Sequence, residues 1–333
     1  MFTIAEIGQA HDGSLGLLHS YIDAVSQTGV NAIKFQIHIA EAESSAYEPF
    51  RVNFSYEDDT RFDYWKRMSF TKDQWLEIKA HCSEVDLEFI ASPFSQAAVD
   101  LLEEIGIKKY KIGSGEVTNF LMLKKVCETG KPIILSSGMS SFAELDKAYD
   151  FIRSNGNELT ILQCTTQYPT AAESLGLNVI HEIRERYNGV SVGLSEHTGT
   201  VYAGIAAATL GCDVLEFHTV FDKRMFGPDA SSSLTIDQVS ELVKAIEFIE
   251  RALKSPIDKS SNTDFEEVKN IFEKSLAVNK NLMQGHVLTF EDLEAKKPKG
   301  YGIDASMFES VIGRKLKHGL SRFEFLNYQD LEG

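Results

Sequence analysis

The sequence predicts a (β/α)8 TIM barrel followed by a small, mostly β C-terminal domain. Up to about Arg251, short β-branched or aromatic runs alternate with longer amphipathic runs, the pattern of a parallel sheet with crossover helices. Eight such runs can be counted, each apolar at its start and polar or Gly-rich at its end. From about Ile271 the pattern changes to short strands and turns. The 333 residues exceed the ~250 of a typical barrel and leave room for a second, smaller unit. The expected boundaries are a barrel over 1–255, a polar, turn-rich linker over 256–270 and a small domain over 271–333.

The strands, in order, are read as FTIAEIG, AIKFQIH, LEFIASPF, YKIGSG, PIILSSGM, LTILQCTTQYP, VSVGLSEHT and VLEFHTVFD. Amphipathic segments lie between them, and TIDQVSELVKAIEFIERAL supplies the eighth helix. One connection breaks the rhythm. Between Ile39 and Phe70 the chain is acidic and aromatic and far longer than an ordinary βα loop, which predicts a segment that covers or shapes a pocket.

Composition bounds the function. A formal charge of −16, with no long run of Lys or Arg, repels nucleic acid and anionic lipid but leaves room for an anionic small substrate held by a few local lysines. The longest apolar stretches are strand-sized, and the N-terminus carries neither a basic leader nor a signal-type apolar region. Cys82, Cys127, Cys164 and Cys212 follow no CxxC or disulfide-framework spacing. These features lead us to expect a cytoplasmic chain with no membrane or nucleic-acid partner and with buried, unpaired thiols.

In such barrels the strand C-termini converge on the face where chemistry is done. Glu6, Lys34, Gln36, Ser92, Lys111, Ser114, Glu116, Ser136, Tyr168, Ser195, His197, Glu216 and His218 all fall at or just beyond those ends. His197 and His218 end neighbouring strands, so two imidazoles reach one rim and suit a divalent transition ion, against the plainer reading of hydrogen-bonded structural histidines. Glu216 could fix an imidazole tautomer, ligate an ion, or pair with Lys34 or Lys111. The two lysines sit in apolar strand contexts and need anionic company. Surrounded by strand-end serines and the turns GSG and SSGM, they favour a bound polyanion over a Schiff-base role. Glu6, Glu116 and Asp229 offer hydroxyl anchors or acid/base groups toward a polyol, and Tyr168 a stacking face.

Taken together in order, AEIGQAHDG, AIKFQ, YKIGSGE, PIILSSGM, LQCTTQYPT, GLSEHTG and LEFHTVFD with GPDASSSL resemble the signatures of the sialic acid synthase family. The tail, from SLAVNKNLMQGHVLTF through KKPKGYG to VIGRKL, resembles the antifreeze-like (SAF) domain that ends those synthases. The resemblance implies condensation of phosphoenolpyruvate with an open-chain N-acyl-mannosamine-type sugar, with release of phosphate. It implies manganese, or another divalent metal, on His197 and His218. Phosphoenolpyruvate is then held by Lys34, Ser92, Lys111, Ser114, Ser136 and Ser195, with Gln36 and Thr166 beside it. Glu6, Glu116, Tyr168 and Asp229 hold or activate the sugar, with Glu6, Glu116 and Lys111 in catalytic roles. It further implies a homodimer whose swapped tails close the partner's site through Lys297. The chain departs from the family pattern at Ala10 (Asn in the family), Thr166 (Asn), Phe217 (Arg or Lys) and Lys297 (Arg). A metal-dependent aldolase or isomerase acting without phosphoenolpyruvate, and a non-catalytic sugar-binding barrel, are the competing readings.

Overall fold

The structure, a computed structural model, describes residues 1–52, 54–260 and 263–332. Contacts divide it into two compact units, Met1–Ser255 and Pro256–Gly333.

The first unit is a closed parallel barrel. Its strands are β1 Phe2–Glu6, β2 Ala32–Ile37, β3 Glu88–Pro93, β4 Tyr110–Ile112, β5 Ile133–Ser136, β6 Leu159–Cys164, β7 Ser191–Glu196 and β8 Val214–Val220. Each pairs in parallel with the next, β8 pairs with β1, and a two-residue β9, Leu234–Thr235, adds to the end of β8. Helices follow the strands, and their starts are written in the sequence. Ser14, Ser95, Ser141 and Thr235 each accept a backbone N–H of the first helical turn, the latter two within capping boxes completed by Glu144 and Gln238.

Successive strand residues face opposite sides, and this alternation separates the core from the site. One set, including Ala5, Ile33, Phe35, Phe89, Leu135, Ile161, Leu194, Leu215 and Phe217, packs in the large core shared with the helices. The other set fills the barrel interior with an apolar layer of Ile4, Ala32, Ile90, Ile134, Leu162 and Val214. Two residues further along, on the same face, stand Glu6, Lys34, Ser92, Ser136, Cys164 and Glu216. The barrel thus rests on an oily floor and carries a polar layer above it. Gly193 lies on β7 between Leu162 and Val214 in register. A Cβ there would stand 2.1 Å from the Val214 carbonyl oxygen and 2.7 Å from Leu162 Cδ2. Gly193→Ala is therefore expected to cost about 1–3 kcal/mol as overpacking strain, read as a lower thermal unfolding midpoint; an unchanged midpoint would contradict this packing.

The excursion after β2 contains two helices, Ala40–Glu43 and Arg61–Met68. It builds its own apolar cluster from Ala40, Tyr64, Trp65 and Met68, with Phe50, Phe54 and Phe62 against it.

In the second unit β10, Ser275–Val278, pairs antiparallel with β11, Leu293–Lys296. Leu276, Val278, Leu282, Leu288, Val311, Leu316, Leu320 and Leu326 belong to its separate core. The stretch read from the sequence as a linker carries a short helix, Glu266–Phe272, that begins with acidic residues suited to a helix N-terminus. Among the described residues no helix is long and apolar enough to cross a membrane. All four cysteines are buried and unpaired.

Candidate active site

At the C-terminal ends of the strands the barrel opens into a cavity of about 510 Å³. Strand register brings its parts together: Glu6 is the Cα partner of both Lys34 and His218, Gln36 of Ser92, and Ser195 of Glu216. Lys34, Gln36, Ser92, Lys111, Ser136, Ser195 and Glu216 line its depth. Ser114, Glu116, Thr166, Tyr168, His197, His218 and Asp229 line it further along the strand-end loops.

The two interior lysines find their anionic company inside the barrel. Lys34 pairs with Glu6, lies 3.9 Å from Glu216 Oε1 and donates to Ser92 Oγ at 3.3 Å. Lys111 lies 3.3 Å from the same Glu216 oxygen and donates to Ser136 Oγ at 2.7 Å. Ser195 Oγ donates to that oxygen at 3.0 Å. Of the alternatives open for Glu216, the ion pair is the one observed. Burial opposes the Glu216 anion, but Lys111 and Lys34 outweigh it and hold its carboxyl below the usual range. Burial also pulls both ammonium groups down. Glu216 and Glu6 overcome it at Lys34, whose pKa ends raised, whereas Lys111, facing Glu216 and the like charge of Lys34, ends lowered. Glu6 is 1% exposed, with Oε1 accepting from Gln36 Nε2 at 2.8 Å and Oε2 paired with Lys34. It lies outside the cavity lining and acts on those two side chains.

His197 and His218 do meet, with ring centroids 5.3 Å apart and the Tyr168 ring 4.2 Å from His197. His197 Nδ1 lies 3.0 Å from the Thr165 carbonyl oxygen, which can only accept, so Nδ1 carries the hydrogen and Nε2 keeps its lone pair. Burial, reinforced by His218, pushes the His197 pKa down to about 3. Among the described residues no group of three or more His, Cys, Asp and Glu side chains is placed to hold an ion. Any ion here would take two imidazoles from the chain and its remaining ligands from solvent or substrate.

Across the cavity Ser114 Oγ accepts from the Gly138 N–H at 3.0 Å. A Cβ on Gly138 would stand 2.3 Å from Thr166 Oγ1 and 2.6 Å from Ser114 Oγ, so only glycine lets these donors converge. Glu116 accepts from Asn119 Nδ2 at 2.7 Å, and burial raises its pKa. Asp229 is engaged by Arg51, whose guanidinium donates to Oδ1 at 2.6 Å and lies 4.1 Å from the Tyr168 ring centroid. Lys297 belongs to the second unit, where its ammonium lies 4.7 Å from the Phe272 ring centroid. His11, next to the departure at Ala10, accepts the Gly13 N–H at 3.1 Å and packs on Phe70.

Six lining residues escaped the sequence reading: His38, Glu43, Glu48, Arg51, Arg61 and Trp65, all from the end of β2 and its excursion. The excursion was expected to shape the pocket, and it does, but its irregular backbone carries no periodicity that names the inward side chains. His38 did leave a signal, since 34, 36 and 38 share one face of an extended strand.

Comparison with known proteins agrees with this geometry. The NeuB family matches residues 21–258. An N,N'-diacetyllegionaminic acid synthase of Campylobacter jejuni is 31% identical, the match covering 93% of this chain and 94% of that protein. The human N-acetylneuraminate-9-phosphate synthase is 32% identical, covering 95% and 88%. The crystal structure of a Leptospira borgpetersenii N-acetylneuraminic acid (sialic acid) synthetase in complex with citrate superposes with a TM-score of 0.70 at 26% identity, covering 80% of this chain and 89% of that one. With its barrel, its strand-end site and these relatives in agreement, the chain belongs to the NeuB family.

Proposed function

We propose that the protein is a phosphoenolpyruvate-dependent nonulosonic acid synthase whose acceptor is an open-chain N-acyl-mannosamine-type sugar. The observation that carries this reading is the layer of Lys34, Lys111, Ser92 and Ser136 at the bottom of the cavity, facing the hydroxyls gathered at Gly138. That surface suits a small dianion or trianion bearing a carboxylate and a phosphate. C3 of phosphoenolpyruvate attacks the aldehyde carbon of the sugar, water adds to the resulting cationic C2, and the tetrahedral centre expels phosphate. Lys34 and Lys111 hold the anionic groups in a site screened from water. Glu116, its carboxyl pKa raised, transfers a proton near C2 or the sugar. Asp229 and Tyr168 contact the sugar, and Glu6 keeps Lys34 and Gln36 in place.

A divalent metal, with manganese the first to try, fits the same site. Glu6 and Glu216 already balance the charges of Lys34 and Lys111, so an incoming trianion needs further positive charge. Two imidazoles, one with its tautomer fixed by Thr165, are the available donors. An ion on His197 and His218 would supply Lewis-acid polarisation of the aldehyde oxygen.

The second unit is proposed to be an antifreeze-like domain that completes a partner's site in a swapped homodimer, with Lys297 reaching the sugar. Exposed Phe265, Ile271 and Phe272 before β10 support a surface that needs a partner. Lys111→Met and Lys297→Ala should each be nearly inactive alone, whereas subunits mixed after dissociation should regain turnover at sites that pair an intact barrel with an intact tail. No recovery in verified mixed dimers would contradict the swap. The buried, unpaired thiols support a reducing, cytoplasmic setting.

The function itself is tested by phosphate release from phosphoenolpyruvate and manganese across a panel of N-acyl hexosamines, their 6-phosphates and diacetamido-trideoxyhexoses. One acceptor should drive release, and silence with all of them would count against the synthase.

A further inference from the structure

His38 occupies an unusual place. Its ring lies between Trp65, 3.6 Å away and nearly parallel at 13°, and Phe94, 4.4 Å away at 14°. Nδ1 stands 2.6 Å from Glu43 Oε1. Nε2 stands 3.1 Å from Gln36 Oε1 and 3.3 Å from Gln9 Nε2. Gln36 in turn gives its amide N–H to Glu6, which pairs with Lys34. An unbroken chain of polar contacts therefore runs from Glu43 to the lysine at the bottom of the cavity.

The chemistry of the atoms fixes the proton positions. Because the Gln36 amide nitrogen donates to Glu6, Gln36 Oε1 faces His38 and can only accept. For His38 to hold it, Nε2 must carry a hydrogen, and in a neutral ring Nδ1 is then a lone pair. That lone pair can meet Glu43 only if Glu43 is a carboxylic acid. When Glu43 is a carboxylate, Nδ1 takes the hydrogen, Nε2 becomes an acceptor for the Gln9 amide, and Gln36 Oε1 confronts a lone pair. The other Glu43 oxygen, Oε2, is buried without a hydrogen-bond partner, a position that a neutral carbonyl oxygen tolerates far better than an anion.

We infer that Glu43 and His38 are a positioning pair that holds Gln36 in its productive orientation against Glu6 only while Glu43 carries its proton. The proposal rests on the synthase reading for its kinetic consequence, but not for its proton assignment. The charged groups around the pair agree with it. Burial and the neighbouring Glu48 push the Glu43 pKa up to about 8, against the Ile39 N–H and Arg61; Glu43 in turn raises Glu116 from across the cavity. Burial and Arg61 push His38 down to about 3, against Glu48 and Glu6, with Lys34 adding to the downward shift. Both groups are thus neutral at neutral pH, and the first to change as pH rises is Glu43. The side chains are 4% exposed for His38 and 7% for Glu43, so bulk water does not substitute for the relay.

The test compares kcat against pH for wild type, Glu43→Gln, Glu43→Ala and His38→Phe, together with infrared difference spectra of 13C-glutamate-labelled protein between neutral and alkaline pH. In the wild type kcat should fall as pH rises through about 8. Glu43→Gln, whose amide always donates to Nδ1, should lose this limb while keeping kcat at neutral pH within about fivefold. Glu43→Ala and His38→Phe should lose at least about tenfold at all pH values, within the ~10²-fold that misplacing a reacting group costs. The infrared spectra should show a protonated carboxyl band in wild type that disappears at alkaline pH and is missing in Glu43→Gln. An unaltered alkaline limb in Glu43→Gln, or no such band, would overturn the pair. If no acceptor supports turnover, the synthase reading fails on that ground and the infrared band alone decides the proton assignment.

Discussion

Lys111→Met is expected to abolish phosphoenolpyruvate-dependent turnover, by ~10³-fold or more, and to destabilise the barrel at the same time. Electrostatic groups aimed at a developing or transferred charge in a closed site are commonly worth ~10²–10³ each, and Lys111 also positions Ser136. The stability cost has a separate origin. Removing Lys111 leaves Glu216, buried and already holding an anion against its desolvation, with Lys34 at 3.9 Å and Ser195 as its remaining partners. Breaking one side of a buried ion pair costs about 3–5 kcal/mol, and the surviving partners place this case near the lower end. Adding Glu216→Gln should return much of the stability and none of the activity, because the uncompensated charge is gone but the anion-binding ammonium is still missing. A double-mutant cycle read by denaturant unfolding should give a coupling of about 1–3 kcal/mol. Additive losses would mean that Glu216 serves a role other than pairing with Lys111.

His218→Ala is expected to give a folded barrel that has lost metal-dependent turnover, by at least ~10²-fold, comparable to or beyond the loss seen when a metal ligand's supporting contact is removed. Manganese binding, followed by calorimetry on chelator-treated protein, should weaken in parallel, with circular dichroism unchanged. His197→Ala should do the same, since Thr165 orients that imidazole for a lone-pair role. Full turnover of His218→Ala in metal-free buffer would remove the metal assignment and leave the two rings as a stacking surface beside Tyr168.

The barrel was legible because its physics is local. Each strand alternates, the polar residue two positions beyond the interior apolar one marks the strand end, and eight such ends are enough to place a site. What the sequence could not say is which of those polar groups meet. Glu216 reaches Lys111 and Lys34 because β7, β8 and β1 are staggered so that Ser195, Glu216 and Ile4 fall in line, and Glu6 is spent on Lys34 because the two are register partners. Register across a closed sheet is a property of the whole barrel, invisible in any one strand. The excursion residues were hidden for a different reason. Arg51, Arg61 and Trp65 reach the cavity through a cluster of aromatic side chains packed without helix or strand periodicity over most of its length. The helix Glu266–Phe272 was passed over because its polar, turn-rich approach resembles a linker and its apolar residues are exposed.

The central claim is that this site joins the enol carbon of phosphoenolpyruvate to a sugar aldehyde and releases phosphate by cleaving the C2–O bond. Its most direct measurement uses phosphoenolpyruvate labelled with 18O in the bridging oxygen, manganese and the acceptor found in the panel, with mass spectrometry of both products. The account predicts equimolar products: a sugar acid heavier than the acceptor by one pyruvyl unit plus water, and phosphate that carries the label. Label retained in the organic product, or cleavage of a nonulosonic acid to pyruvate without any formation from phosphoenolpyruvate, would contradict it.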